Sequence, residues 1–164
     1  MSVNSYMSDF QFVGSTIKSF HLENQFIDFD EKAELDRVVD VSYEVKYISP
    51  EKTSKETDYP MLGIIVLYTT MTIGGDNSCP CQQEDGLKLS LTLEGCFKTK
   101  TLNRDEFKEM LELNGCATLY SIARAIIISI TSQTFSDGPC VLPMINVYNM
   151  VDQQDEDEEQ DHKD

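Results

Sequence analysis

The chain has no tryptophan, two histidines and 13 basic residues against 29 acidic ones. A formal net charge of -16 opposes any large surface that neutralises phosphates, so nucleic acid is not an expected partner. No run of eighteen unbroken apolar residues is present, and the first ten residues lack the basic-then-apolar order of a signal peptide. We therefore expect a cytoplasmic protein that is not stably inserted in a membrane.

Motifs for common enzyme chemistry are also missing from the sequence. There is no glycine-rich phosphate loop, no Gly-x-Ser-x-Gly and no His-Glu-x-x-His, and neither His21 nor His162 has a nucleophile at motif spacing. We therefore expect a protein that is not an enzyme and that needs no cofactor.

Five cysteines form an odd set, which favours free thiols that fill small apolar spaces over a disulfide framework. Cys79 and Cys81 are close enough in sequence to supply two thiolates to zinc. A structural zinc site takes four ligands, and these two leave it two short. A metal is therefore not expected unless subunits share the site.

Alternation of apolar and polar residues predicts four strands. Two of these strands, Val39 to Tyr47 and Leu87 to Leu93, have one apolar face. The first half of a third strand, Met61 to Ile73, has apolar residues on both faces, which is typical of a central strand. Phe10 to Leu22 changes phase, which indicates a bulge near Gly14. Polar, turn-rich segments separate the middle strands, so they are expected to pair antiparallel.

Helical patterns follow the strands. Asn103 and Glu106 have the spacing of a capping box, and Asn114 with Gly115 predicts the end of a short first helix. A long second helix is predicted from Ala117 to Phe135. Its apolar residues cover more than one face, so we expect a second subunit to cover part of it. The candidate interface residues are Leu119, Ile122, Ile126, Ile127 and Ile130.

An apolar segment from Cys140 to Val147 follows the long helix. Pro139 and Pro143 prevent continuous pairing in a sheet, so the sequence predicts an extended strip that folds against the body and could wall a groove. Residues 152–164 carry eight acids and form a predicted disordered tail, which leaves residues 1–151 as one domain. A solvating tail is favoured over one that recruits a basic partner.

These residues resemble the SecB family of export chaperones over roughly residues 10 to 150. The matching residues at the start of the long helix are Leu119, Tyr120, Ala123 and Arg124, and those after its end are Pro139, Leu142, Pro143 and Asn146. The Gly95-x-Phe97 and Phe10-Gln11-Phe12 segments also match. Ser121 stands where the family usually has proline, and Ile122 where it usually has a second aromatic residue.

The resemblance implies an α+β fold with a four-stranded antiparallel sheet backed by one long C-terminal helix, assembled as a dimer of dimers. It also implies an ATP-independent holdase that binds unfolded preproteins in apolar grooves and keeps them competent for Sec export. The candidate groove residues are Phe97, Tyr120, Leu142, Met144, Ile145, Val147 and Tyr148. The alternative is a dedicated SecB-like chaperone or adaptor for one client, such as an antitoxin.

Three further features bear on the resemblance. Glu23 is kept among the acidic positions that meet the SecA motor, whereas Ser19 and Ser90 replace two others, which puts SecA binding in question. The family's C-terminal helix is not expected, because Val151 runs straight into the acidic tail. Arg124 could pair with a carboxylate of another subunit, or lay its stem on apolar surface with its head in water.

Overall fold

Four antiparallel strands form one sheet, and a long helix crosses one of its faces. The computed structural model describes residues 8–24, 35–49, 60–75, 85–134 and 139–151. The strands are β1 (Gln11–Asn24), β2 (Leu35–Ile48), β3 (Met61–Gly75) and β4 (Asp85–Thr99). Their order is β1-β4-β3-β2, so β1 and β2 are the two edge strands. The predicted α+β class and antiparallel pairing are confirmed.

Alternating apolar residues of the two central strands, β3 and β4, form one side of the core. Leu87, Leu89, Leu91 and Leu93 of β4 are all buried on the helix side, opposite Ile73, Met71, Thr69 and Leu67 of β3. Val66 lies on the other face, here called the bare face, yet it is only 3% exposed. The central position predicted for β3 is therefore confirmed, since both of its faces have covered residues.

The pairing of β1 with β4 is irregular, in agreement with the change of phase of the apolar residues along β1. The register of β1 against β4 shifts between Phe12 and Gly14, and again between Ile17 and Ser19. The bulge predicted near Gly14 is thus confirmed, and a second one follows it. Each bulge adds one residue to β1, which moves the following apolar side chains to the other parity.

The helical part begins as predicted. It comprises α1 (Arg104–Met110), a π turn (Leu111–Gly115) and α2 (Cys116–Thr134). The Asn103 side chain accepts a bond from the Glu106 backbone N–H at 2.9 Å, and the Glu106 carboxylate accepts one from the Asn103 N–H at 3.1 Å. This reciprocal pair is the predicted capping box.

The predicted end of the first helix at Asn114 and Gly115 is wrong. The chain stays helical through the π turn, so α1 and α2 form one continuous rod. Gly115 is buried near Ile65 and Phe97, and the rod lies close to the sheet. Packing against the sheet has overridden the local tendency of Asn-Gly to end a helix.

Two glycines in the sheet allow this close approach. A Cβ at Gly63 would lie 2.5 Å from Leu111 Cδ1, and one at Gly95 would lie 2.7 Å from Leu119 Cδ2. Any larger residue would force the side chains of Leu111 or Leu119 to shift. The Gly95-x-Phe97 segment therefore serves packing: Gly95 receives Leu119, and Phe97 is fully buried.

One side of α2 lies in the core. Its buried residues are Cys116, Leu119, Tyr120, Ala123, Ile127 and Thr131. By length and composition alone, the rod from Arg104–Gln133 could cross a membrane. Core helices of soluble proteins pass the same test, so this is weak evidence for insertion.

The segment after α2 folds back over the body. Residues 139–146, here called the proline strip, have no regular secondary structure, and residues 147–151 form a turn of helix. The extended strip is confirmed. Asn146 accepts a bond from the Tyr148 N–H at 3.1 Å and so caps this short helical turn. The turn was not predicted; the expected absence of the family's C-terminal helix concerns residues after Val151 and stays a prediction. Cys79, Cys81, Phe135 and the tail of residues 152–164 lie outside the described residues.

Candidate functional site

A groove of about 360 Å³ lies between the edge strand β2 and the proline strip. It is lined by Val39, Asp40, Val41, Pro143, Ile145, Asn146, Asn149 and Met150. We call it the strip groove. Its apolar residues come from both sides, and its few polar groups are neutral amides and one carboxylate. Such a lining suits an uncharged, partly apolar ligand segment.

Side chains from the rest of the protein hold the strip in place. The Cys140 N–H donates to Thr131 Oγ1 at 2.9 Å, and Arg37 Nη1 donates to the Val141 carbonyl at 3.2 Å. The next two carbonyls are also bound. Four consecutive strip residues are therefore anchored through their backbone, although prolines keep the strip out of the sheet.

Tyr120 is the anchor nearest the groove. Its hydroxyl donates to the Pro143 carbonyl at 2.6 Å. Burial raises the pKa of Tyr120, and the nearby Arg124 charge offsets part of that rise. The hydroxyl therefore keeps its proton, and the anchor stays a donor, throughout the neutral pH range.

Arg124 supports the same stretch of strip. Its Nε donates to the Leu142 carbonyl at 3.1 Å, and its Nη1 lies 2.9 Å from Met144 Sδ. Within the single chain, the guanidinium contacts strip backbone and a thioether rather than water alone. Arg124 thus contacts both the strip backbone and the Met144 side chain. Its pairing with a carboxylate of another subunit stays a prediction.

The seven candidate groove residues fall into three groups. Met144 and Tyr148 are 81% and 65% exposed, and Ile145 and Val147 are half-buried. Tyr120 and Leu142 are buried beneath the strip, so they support it rather than line it. Phe97 is buried elsewhere, at the β1 side of the sheet.

Phe97 belongs to a second cavity of about 470 Å³ beside β1. Its ring stacks on Phe10 at 4.9 Å between centroids and lies 5.3 Å from Phe12. Met110, Ala117 and Ser121 complete part of its wall. We call this the phenylalanine cavity. The fold therefore separates Phe97 from the other groove candidates.

Sequence reasoning missed the β2 side of the strip groove. Alternation places Val39 and Val41 on one face of a strand, but it does not show that β2 is an edge strand next to the strip. Asn149 and Met150 were missed because the helical turn that places them was not expected. The capping position of Asn146 could have signalled that turn.

The five candidate interface residues also differ in their burial. Leu119 and Ile127 are fully buried within the single chain, whereas Ile122, Ile126 and Ile130 are half-buried. Only the latter three still have surface that a second subunit could cover. The interface on α2 remains a prediction that rests on them.

The bare face carries charges of both signs. Glu94, the register partner of Val66, lies 3.5 Å from Lys18 Nζ and 3.6 Å from Lys46 Nζ. Glu23 is exposed and lies 3.0 Å from His21 Nε2. The pairing register puts Ser19 and Ser90 on this face as well. Several of its acids therefore have basic neighbours.

No metal-binding cluster of three or more His, Cys, Asp or Glu residues occurs in the described part of the chain. Cys96, Cys116 and Cys140 are free thiols there. Burial raises the pKa of Cys116 to about 12, and the Glu112 charge adds to that rise. This thiol is a protonated core residue at neutral pH.

Comparisons with known proteins show which solved structures have a similar fold. No protein-family model matches the chain, and no curated protein matches its sequence. A SecB-like chaperone from Mycobacterium tuberculosis, solved in complex with a ChAD peptide from the HigA1 antitoxin, is similar with a TM-score of 0.53 and 11% identity, over 84% of this chain and 91% of that one. A Streptococcus agalactiae protein of unknown function gives a TM-score of 0.42 and 10% identity, over 82% and 97%. The SecB-like resemblance of the fold is thereby confirmed.

Proposed function

We propose that this protein is an ATP-independent chaperone that binds unfolded polypeptide in the strip groove. The observation that carries the proposal is the groove itself, whose lining is apolar at five of its eight residues, together with the exposed side chains of Met144 and Tyr148, which are next in sequence to lining residues. Methionine and aromatic side chains adapt to many sequences. The SecB-like fold supports the same function, since a protein of that fold was solved with a bound peptide.

Two forms of this function follow from the sequence: general export through the Sec pathway, and protection of one client such as an antitoxin. The bare face bears on the choice. Glu94 has two lysines within 4.0 Å, and Ser19 and Ser90 carry no charge. With these acidic positions replaced or paired, the face is less suited to a basic docking segment of SecA. The dedicated form is therefore the one we favour.

We further propose a cytoplasmic homotetramer. The half-buried Ile122, Ile126 and Ile130 leave an apolar stripe on α2 that a second copy of the chain would cover. A tetramer would also place several strip grooves on one particle. One long client could then bind at more than one groove, which would raise its apparent affinity.

Suppression of aggregation tests the proposal. Several unrelated unfolded proteins are diluted into buffer from which all nucleotide has been removed, with and without this protein. We expect protection without nucleotide, strongest for one client class. A strict ATP requirement would contradict the chaperone proposal, and equal protection of all clients would favour the export form.

A matched pair of strip variants locates the activity. Ile145 lines the groove, whereas Val141 lies in the same strip, is exposed and does not line it. Ile145→Asp should abolish most of the protection, because it puts a charge on the apolar wall. Val141→Asp should leave protection largely intact. Equal effects of the two variants would place client binding elsewhere.

A further inference from the structure

The phenylalanine cavity is lined by two groups of side chains with different chemistry. The first group is the three phenylalanines on β4 and at the start of β1. The second comes from the helical rod and includes the neutral polar side chains of Asn114, Thr118 and Ser121. None of the nine described lining residues is charged, although 26% of the chain is. A group that fills this cavity is therefore expected to be uncharged, with an aromatic body and a polar end.

The polar side chains of the rod can accept hydrogen bonds. Thr118 Oγ1 donates to the Asn114 carbonyl at 2.7 Å, and Ser121 Oγ donates to the Ala117 carbonyl at 2.9 Å. A hydroxyl has one proton and two lone pairs, so both oxygens keep acceptor capacity after these bonds. The Asn114 amide nitrogen donates to Met110 Sδ at 3.1 Å, which leaves the amide oxygen as a further acceptor. A polar end that carries a donor therefore fits this side of the cavity.

The N-terminal part of the chain reaches the body of the protein at this cavity. Ser8 is the first described residue, and it lines the cavity. Ser8 Oγ accepts a bond from the Phe10 N–H at 3.2 Å, and the Ser8 carbonyl accepts one from Gln11 Nε2. These two bonds hold Ser8 beside the start of β1, so the residues before it begin at the cavity.

Residues 1–7 have the chemistry that suits the cavity. Their sequence, Met-Ser-Val-Asn-Ser-Tyr-Met, has no charged side chain. Tyr6 combines an aromatic ring with a hydroxyl donor. Two peptide units keep its Cα within about 7 Å of the Ser8 Cα. A tether this short gives Tyr6 a local concentration on the order of mM, so a contact too weak for a separate peptide is populated.

We infer that the phenylalanine cavity is a binding site for an uncharged aromatic group, and that Tyr6 of the same chain occupies it. Its ring lies against the phenylalanines, and its hydroxyl donates to the polar side of the cavity. The phenylalanine cavity and the strip groove share none of their described lining residues. The inference is therefore independent of the proposed chaperone function.

A single tryptophan tests the inference in the whole chain, which has no tryptophan of its own. Tyr6→Trp keeps an aromatic ring with a donor. Its emission should be blue-shifted and protected from acrylamide, relative to the same protein in denaturant, at every protein concentration. Emission typical of a fully exposed indole in the folded protein would overturn the inference. Loss of protection on dilution would place the ring in the cavity of a second copy, which also overturns it.

A matched pair of variants on β1, made in the Tyr6→Trp protein, locates the contact. Phe12 and Ile17 are 44% and 48% exposed, but only Phe12 lines the cavity. Phe12→Asp should lower the ratio of covered to exposed tryptophan about tenfold or more, because a carboxylate at the contact would lose its water. Ile17→Asp should leave that ratio unchanged.

A second pair on the rod guards against a local effect on β1. Ser121 and Ala125 are both exposed, and only Ser121 lines the cavity. Ser121→Asp should release the tryptophan as Phe12→Asp does, whereas Ala125→Asp should not. Circular dichroism checks that each variant is folded. Unchanged emission in folded Phe12→Asp and Ser121→Asp would place the tryptophan elsewhere and overturn the inference.

An unfolded client, added in a stoichiometric amount, separates this inference from the chaperone proposal. We expect suppression of aggregation with no change in the tryptophan emission, because the proposed client site is the strip groove. If the client displaces the tryptophan, the cavity binds clients and the assignment to Tyr6 is overturned. If aggregation proceeds while the tryptophan stays covered, the chaperone proposal fails and this inference stands.

Discussion

The two sides of the strip groove are built in different ways. The β2 side is paired with β3 from Leu35 to Ile48 by main-chain bonds that any sequence could make. The proline strip is held by side chains: Thr131, Arg37, Arg124 and Tyr120 bind four consecutive residues of it. One side of the groove is thus part of the sheet, and the other depends on particular residues.

From this difference we expect one fixed side of the groove and one side that adjusts more readily. Moving β2 would break its main-chain pairing with β3, whereas moving the strip would break four side-chain anchors and expose Leu142. A chaperone must accept different sequences in one groove, and a separately anchored strip allows that. The following predictions test whether the two sides respond differently to substitution.

Leucine truncation on each side should separate them most clearly. Leu67→Ala in β3 should lower the free energy of unfolding by about 2–5 kcal/mol, because Leu67 is buried in the core. Leu142→Ala should cost less, since the loss cannot exceed the free energy that docks the strip. Denaturant unfolding of both variants checks this. Equal losses would mean that the strip unfolds only with the sheet.

A charge on the outer side of α2 tests whether a second subunit supports the helix that carries the strip anchors. Ile126→Asp should disrupt assembly, since an uncompensated buried charge costs on the order of several kcal/mol. Ala125→Asp, at an exposed position next to it, is the control. Sedimentation should show smaller particles for the first variant only. An unchanged assembly of folded Ile126→Asp would exclude this interface.

Thr131→Val isolates one anchor of the strip. Thr131 is fully buried and accepts the Cys140 N–H, so valine leaves that N–H unpaired at a cost of about 1–3 kcal/mol. Thr131→Ser keeps the hydroxyl and should therefore retain most of the stability that the valine variant loses. Hydrogen exchange at the strip should rise in the valine variant, while exchange in β3 stays the same. Faster exchange in both would show that the two sides are coupled.

Much of the fixed side was predictable from sequence, because period-two alternation reports directly which strand residues face the core. The bulge at β1 and the capping box at Asn103 were equally local signals. The continuous rod was not predictable at Gly115, where packing on the sheet overrides a local stop signal. The β2 side of the groove depends on strand order, which no local pattern encodes. For the same reason, local patterns do not show that Phe97 lies at the phenylalanine cavity, away from the other groove candidates.

The smallest effect is expected for Tyr120→Phe, which removes the bond to the Pro143 carbonyl and should cost about 0.5–1.5 kcal/mol. The pH dependence has a defined sign. Because burial raises the pKa of Tyr120 above 10.0, its contribution is complete below pH 10.0 and is lost as pH rises through the folded-state value. Unfolding followed from pH 7 to about 11 should show the two proteins converging at the alkaline end. A constant difference would mean that the hydroxyl is not the anchor.

Hydrogen exchange of the whole protein, with and without an unfolded client, tests the central claim most directly. We predict that the client slows exchange along residues 38–45 of β2 and in the proline strip, while β1 beside the phenylalanine cavity is unaffected. Slower exchange at β1 or across β4, with no change at β2 and the strip, would show that clients bind elsewhere and would contradict the account.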